Sequence, residues 1–187
     1  MVIHPTDLEG VLLLEPAVHF DARGFFLETY NQRSFAEAGI TKRFVQDNHS
    51  HSRKGVLRGL HYQSENGQGK LIRVLQGEIF DVAVDIRPES RNFGKWAGVF
   101  LNAAEMKSIW IPEGFAHGFY TLSNTADVSY KVTDIYNPEK ERTLSWNDPD
   151  LAIRWPLAGD PILSEKDKLG HSFRELEQEG LGKVSGD

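Results

Sequence analysis

Cysteine is absent from the 187-residue chain. A disulfide framework, a thiolate metal site and a cysteine nucleophile are thereby excluded together. Long apolar runs are absent too. Stretches such as Val11 to Leu14 fall far short of the roughly 20 residues that span a bilayer, so no transmembrane helix and no membrane partner are expected. The opening segment, Met1 to Asp7, has no basic region ahead of an apolar stretch, and no signal peptide is expected. These absences suit a cytoplasmic protein, and Asn48-His49-Ser50 is read as a chance triplet rather than a glycosylation site. Positive charge is in deficit: 21 Lys and Arg against 27 Asp and Glu leave a formal net charge of −6 and a pI of about 5.6. That balance argues against a nucleic-acid partner. It leaves room for a small anionic ligand, which needs only a few local cations. No repeat, low-complexity tract or Pro/Gly/Ser linker divides the chain. One domain over 1–187 is expected, with its core over about 12–167 and a helix and frayed tail beyond.

What is present is a globular composition, 40% hydrophobic and 11% aromatic, which rules out a disordered or fibrous chain. Phe80, Val82, Val84 and Ile86 fall on alternate positions with Asp81 and Asp85 between them. Period two of this kind predicts a strand with one buried face. Lys70 to Val74 has a similar pattern, and Gln76-Gly77-Glu78 reads as the turn of a hairpin joining the two. Further strands are expected at Trp96–Leu101, Ser108–Ile111, Gly118–Leu122 and Asp127–Thr133. Many short strands separated by turns predict an all-β antiparallel sandwich or barrel. Helices are short and peripheral: Ser34-Phe35-Ala36-Glu37 and Ser172-Phe173-Arg174-Glu175 are capping boxes, stopped near Gly39 and Gly180. The tail Gly182 to Asp187 is expected to fray.

Three stretches place polar groups beside strand-like apolar residues. They are Phe44 to Ser50 continuing through Gly55 to Gln63, Trp110 to Phe119, and Tyr130 to Asp134 followed by Pro138 to Arg142. The first two have the spacing of cupin motifs. Gly55 is followed six residues later by His61, with Gly77 further on, and Pro112, Gly114 and His117 match the core of the second motif. The fold this implies is a cupin jelly-roll barrel with a few short peripheral helices. Metal-binding cupins use a His-x-His pair, a carboxylate and a later His. Here Gln63 replaces the second His, and Gly67 and Gln68 stand where the carboxylate belongs. His61 and His117 alone fall short of the three or four ligands a stable site needs, so no metal is expected.

Longer strings carry a closer resemblance. Phe44-Val45-Gln46-Asp47-Asn48-His49-Ser50, Gly55 to Gln63, Gly69 to Val74, Ile111 to Gly118 and Tyr130-Lys131-Val132-Thr133-Asp134 together resemble the dTDP-4-dehydrorhamnose 3,5-epimerase family, over about Leu12 to Asp167. The resemblance implies epimerisation of a dTDP-linked 4-keto-6-deoxy sugar at C3 and C5, both adjacent to the C4 carbonyl, with no cofactor. It implies His61 as the base, Tyr130 as the acid, Lys70 at the developing C4 oxyanion and Asp167 as the carboxylate that orients His61. It places Arg23, Arg58 and Lys166 toward the diphosphate, and Glu28, Gln46, Asp47, Asn48, His117 and Glu141 at other substrate contacts. It also implies a homodimer, with Phe25-Phe26-Leu27-Glu28 offered to the partner's site.

Residue type alone leaves other readings open. His61 suits a core histidine, Tyr130 a core aromatic, Lys70 a solvated lysine after a glycine turn, and Asp167 a first-turn carboxylate behind an N-capping Ser164. Phe20 and Phe26 suit either a nucleobase contact or the core. Arg58 and His61 are three apart and share a face only if Gly59 marks a bulge. Three other functions compete: a single-carbon epimerase of deoxysugar pathways, a non-catalytic sugar-binding cupin, and a metal-dependent cupin oxygenase or isomerase.

Overall fold

The computed structural model describes residues 1–65 and 67–179. The expected helix stop at Gly180 and the tail beyond it lie outside the described residues. Strands are β1 (Val2–Pro5), β2 (Leu12–Glu15), β3 (Val18–Asp21), β4 (Gly24–Leu27), β5 (Gln46–Arg53), β6 (Leu57–Gln63) and β7 (Lys70–Gln76). Then follow β8 (Glu78–Asp85), β9 (Trp96–Asn102), β10 (Ser108–Ile111), β11 (Phe115–Thr121), β12 (Thr125–Val132) and β13 (Glu141–Thr143). Helices α1 (Gln32–Glu37), α2 (Glu165–Lys168) and α3 (Phe173–Glu179) sit between and after them.

Two antiparallel sheets carry the fold, one ordered β1-β2-β10-β7-β12-β5 and the other β13-β6-β11-β8-β9, with β3-β4 as a separate hairpin. This is the expected all-β jelly roll. The inner faces meet in a core where Ile72, Val74 and Val128 of one sheet pack against Ile79, Phe115 and Phe119 of the other. Removing one such side chain, as in Ile72→Ala, costs about 2–5 kcal/mol.

The hairpin expected at Gln76-Gly77-Glu78 does not form. β7 pairs with β10 and β12, whereas β8 pairs with β11 and β9. The turn instead carries the chain from one sheet to the other. Gly77 has φ +80°, and a Cβ there would lie 2.1 Å from the Thr125 carbonyl oxygen, so only glycine fits.

The period-two strand is present as β8, but its second face is not solvated. Asp81 and Asp85 are fully buried. Phe80, Val82 and Val84 pack outward under Leu151, Phe173 and Leu176, while Ile79 and Ala83 face the barrel interior. The alternation therefore separates two buried environments, because the C-terminal segment covers the outside of this sheet. α1 is capped by Asn31, whose side chain accepts from Arg33 and Ser34 N–H, rather than by Ser34; Gly39, at φ +83°, follows it as expected. At Ser172 the capping box is as expected, with Glu175 Oε2 accepting from the Ser172 backbone N–H and hydroxyl. No helix among the described residues is long and apolar enough to cross a membrane.

Candidate active site

One end of the barrel interior opens into a cavity of about 340 Å³. Its walls follow from period two. On β5, Gln46, Asn48 and Ser50 point inward, so Asp47 points outward, where it pairs with Lys131 at 2.9 Å. On β12, Tyr130 shares the inward face with Val128 and reaches the cavity. Lys70 enters from the start of β7, and His117 and Phe119 from β11.

β6 breaks its own period. His61 lies opposite His117 and Arg58 opposite Phe119, so three residues of β6 span two of β11. The extra residue is accommodated at Gly59, at φ +120°, where a Cβ would lie 2.5 Å from Gly118 Cα. The bulge brings both Arg58 and His61 into the cavity. Arg58 is held there by Ser52 Oγ at 3.0 Å and the His51 carbonyl at 3.1 Å.

His61 Nε2 lies 2.6 Å from Asp167 Oδ1. An ionised carboxylate only accepts, so Nε2 carries the proton and Nδ1 keeps its lone pair. Asp167 is 4% exposed. Its Oδ2 accepts from Ser164 Oγ at 2.8 Å, and the same hydroxyl caps α2 by accepting from the Asp167 N–H. Asp167 thus makes both the first-turn contact and the histidine contact. Burial pushes its carboxyl up. The His61 bond, reinforced by Ser164 and the Gly59 N–H, outweighs burial and holds it below the usual carboxylate range.

Lys70 is buried and makes no hydrogen bond or ion pair with another described residue. Desolvation brings its amine down to about 8, against the pull of Asp81 and then Glu141. The Tyr130 hydroxyl is pushed up by burial, opposed by Arg58 and assisted by Glu141. Glu141 accepts from Lys166 at 2.6 Å and from Tyr136 at 2.6 Å. Burial raises its carboxyl, but those two partners together outweigh it and hold the group down.

Of the residues singled out by sequence, eight line the cavity: Gln46, Asn48, Arg58, His61, Lys70, His117, Tyr130 and Glu141. Asp167 and Lys166 stand behind His61 and Glu141. Arg23 and Glu28 are not brought to this cavity within one chain. Arg23 sits at the tip of the β3–β4 hairpin, paired with Asp21, and Glu28 accepts from Asn31 Nδ2 beside a second cavity. Phe20 and Phe26 are 73% and 71% exposed and belong to no core cluster. Sequence reasoning did not place Ser50, Tyr62, Gln63, Gln68, Phe119 or Tyr136 in the lining. Ser50 was within reach, since it continues the alternation from Gln46 and Asn48. Tyr136 sits in an irregular loop, positioned by Gln46 Oε1 accepting its N–H, and carries no periodic signal. Among the described residues, no three His, Cys, Asp or Glu side chains are grouped so as to hold a metal ion.

An imidazole with a free lone pair, a buried amine and a phenol gathered in one cavity suit proton transfer. On a jelly-roll frame this is the class of the cupin-type carbohydrate epimerases. The family described as dTDP-4-dehydrorhamnose 3,5-epimerase matches residues 5–175, and the chain belongs to that family. It is 55% identical over 181 residues to the dTDP-4-dehydrorhamnose 3,5-epimerase of Neisseria gonorrhoeae, covering 97% of this chain and 55% of that longer protein. The protein of the same description from Pseudomonas aeruginosa is 56% identical over 171 residues, covering 91% of this chain and 94% of the relative. The solved dTDP-6-deoxy-D-glucose-3,5-epimerase of Legionella pneumophila, in complex with dTDP-4-keto-L-rhamnose, is similar with a TM-score of 0.94 at 49% identity, covering 100% of this chain and 99% of that one.

Proposed function

We propose that the chain epimerises dTDP-4-dehydro-6-deoxy-D-glucose at C3 and C5 to dTDP-4-dehydro-L-rhamnose, for dTDP-L-rhamnose synthesis. The observation that carries this reading is the 2.6 Å bond from His61 to buried Asp167 in a cavity shared with Tyr130 and Lys70. Nε2–H is committed to the carboxylate, so Nδ1 takes the proton from C3 or C5. The C–H electrons form a double bond to C4, and the carbonyl pair moves onto the C4 oxygen as an enolate. The Lys70 ammonium meets that oxyanion, a contact worth about 3 kcal/mol by analogy with other oxyanion donors. Asp167 stabilises the imidazolium. Tyr130 then protonates the carbon from the opposite face, the carbonyl re-forms, and solvent returns the proton balance between His61 and Tyr130.

Arg58 and Lys166 supply cations for the diphosphate, and Gln46, Asn48, His117 and Glu141 offer polar contacts to the rest of the ligand. Arg23 and Glu28 serve the site of a partner in a homodimer. Support comes from the exposed Phe20, Phe25 and Phe26 on their hairpin and from the edge strand β1, each of whose residues is exposed, both features that pairing would cover. A fully active monomer by light scattering at micromolar concentration would contradict this.

Nuclear magnetic resonance of the keto-sugar nucleotide with the enzyme in deuterated water tests the reaction. Deuterium entering at both C3 and C5 is the expected result. Exchange at one carbon would replace this reading with a single-carbon epimerase, and no exchange with a binding protein.

A further inference from the structure

Asp81 is fully buried on β8 and stands opposite Phe119 of β11 and Val99 of β9. Its Oδ2 lies 2.8 Å from His117 Nε2, and its Oδ1 is buried with no hydrogen-bond partner. A carboxylate left half-bonded between Ile79 and Ala83, which both face the apolar core, is an expensive way to fill a strand position. An apolar side chain would serve the fold better, so a compensating charge is required. It stands on the facing sheet: Lys70, buried and unpaired at the cavity wall, feels Asp81 as its strongest attraction and Glu141 as its second. The strand neighbours of Lys70, Ile111 and Val132, carry no charge. The other titratable groups around the cavity are Arg58, His61 and Tyr62 of β6, His117 of β11, Tyr130 of β12, and Tyr136. None of these is an anion, so Asp81 and Glu141 are the carboxylates that face this amine.

Resting on the epimerase reading above, we propose that Asp81 is a positioning residue of the reaction: it fixes the ring of His117 with Nε2 protonated and keeps Lys70 an ammonium ion at the cavity wall. Oδ2 accepts the Nε2–H, because a carboxylate has no proton to give. His117 thereby presents Nδ1 as an acceptor, suited to a sugar hydroxyl and unsuited to an oxyanion. That leaves the C4 oxygen to Lys70, whose charge then depends on the buried anion behind it.

Asp81→Asn keeps the size of the side chain and an acceptor for His117, and removes the charge. In this variant the loss of C3/C5 deuterium exchange at rising pH should begin roughly one to three units lower than in the wild-type enzyme, where it is expected near 8, the value to which burial brings Lys70. The Tyr130 hydroxyl is raised from its ordinary value and does not mask this limb. Near pH 8, kcat should fall by roughly tenfold or more, while the affinity for dTDP alone, which has no C4 oxygen, stays within about twofold of wild type. An unshifted basic limb, or a parallel loss of dTDP binding and kcat, would overturn the proposal. Two measurements need neither substrate nor a folded variant. Nitrogen-15 spectra of wild-type histidines should show His117 protonated on Nε2, and carbon-13 spectra of methylated lysines should show one lysine titrating near 8. A His117 proton on Nδ1, or no lysine titrating there, would also overturn it. Absence of exchange in the wild-type enzyme would defeat the epimerase reading instead, and these two measurements would still decide the role of Asp81.

Discussion

His61 and His117 stand opposite one another on paired strands, and each gives Nε2 to a buried carboxylate. Their carboxylates arrive by different routes. Asp81 comes from β8, the strand beside β11, so the His117 pair is assembled by the sheet itself. Asp167 comes from α2, a helix of four residues, 106 positions along the chain from His61. One pair is a product of β-pairing. The other exists only when the segment after β13 has docked. The more accessible imidazole, with a side chain 29% exposed against 11%, is the one with the more remote support. Proton transfer needs a base that meets the ligand, and the sheet alone does not bring a carboxylate to its back.

The strongest break in this comparison is His61→Ala. On the proposed mechanism this removes the base and should abolish both inversion and deuterium exchange, a loss of roughly 10² to 10⁴ in rate, and a variant that still exchanged would exclude His61 as the base. Tyr130→Phe should separate the two readouts. His61 and Lys70 remain, so a proton is still removed and returned on the same face. Exchange should persist at one carbon at least, while inversion falls by roughly 10²-fold or more; a parallel fall in both would show that Tyr130 organises the base instead.

Ser164→Ala tests the remote support alone. It removes the α2 cap and one partner of Asp167, and should cost about 1 kcal/mol in chemical denaturation. The parallel change at His117 has no cap to lose. Acid should act in the same direction. Asp167 is held below its ordinary value, so its folded state binds fewer protons than its unfolded state through that range. The stability it contributes is present above the usual carboxylate value, near 4, and is lost as pH falls through the depressed one. A stability profile flat across that acid range would contradict the His61–Asp167 bond. The smallest effect belongs to metal removal. Gln63 and Gln68 stand where a metal-binding cupin has ligands, so activity should be unchanged by a chelator, and restoration by one divalent ion would refute this.

Much of the frame could be read from the chain. Period two located β7 to β12 to within a few residues, because alternate burial is a local pattern. It also placed Tyr130 on the inward face of its strand, whereas Asp47, expected by resemblance at a substrate contact beside Gln46 and Asn48, points outward to Lys131. The same rule misread Asp81. Alternation tells a strand that its two faces differ, and gives no sign of whether the second faces water or another layer. Here residues 144–176 cover the outer face of β8, which turns the apparent solvent face into the barrel interior. The turn at Gly77 was likewise visible as a turn, but pairing partners are a non-local property, and the hairpin expected there is a crossing between sheets.

The sequence by itself determined the strand alternation, the helix stops and caps at Gly39, Ser164 and Ser172, and the motif strings that carry the family. Those depend on neighbours a few residues apart and on side-chain chemistry. Only the tertiary structure decided which nitrogen of each histidine is committed to a carboxylate, that Asp167 both meets the α2 cap and bonds His61, and that Arg58 joins His61 across the bulge at Gly59. Each of these requires groups far apart in the chain, or a backbone irregularity, to meet within hydrogen-bond distance. That geometry is set by how the sheets and the C-terminal segment pack.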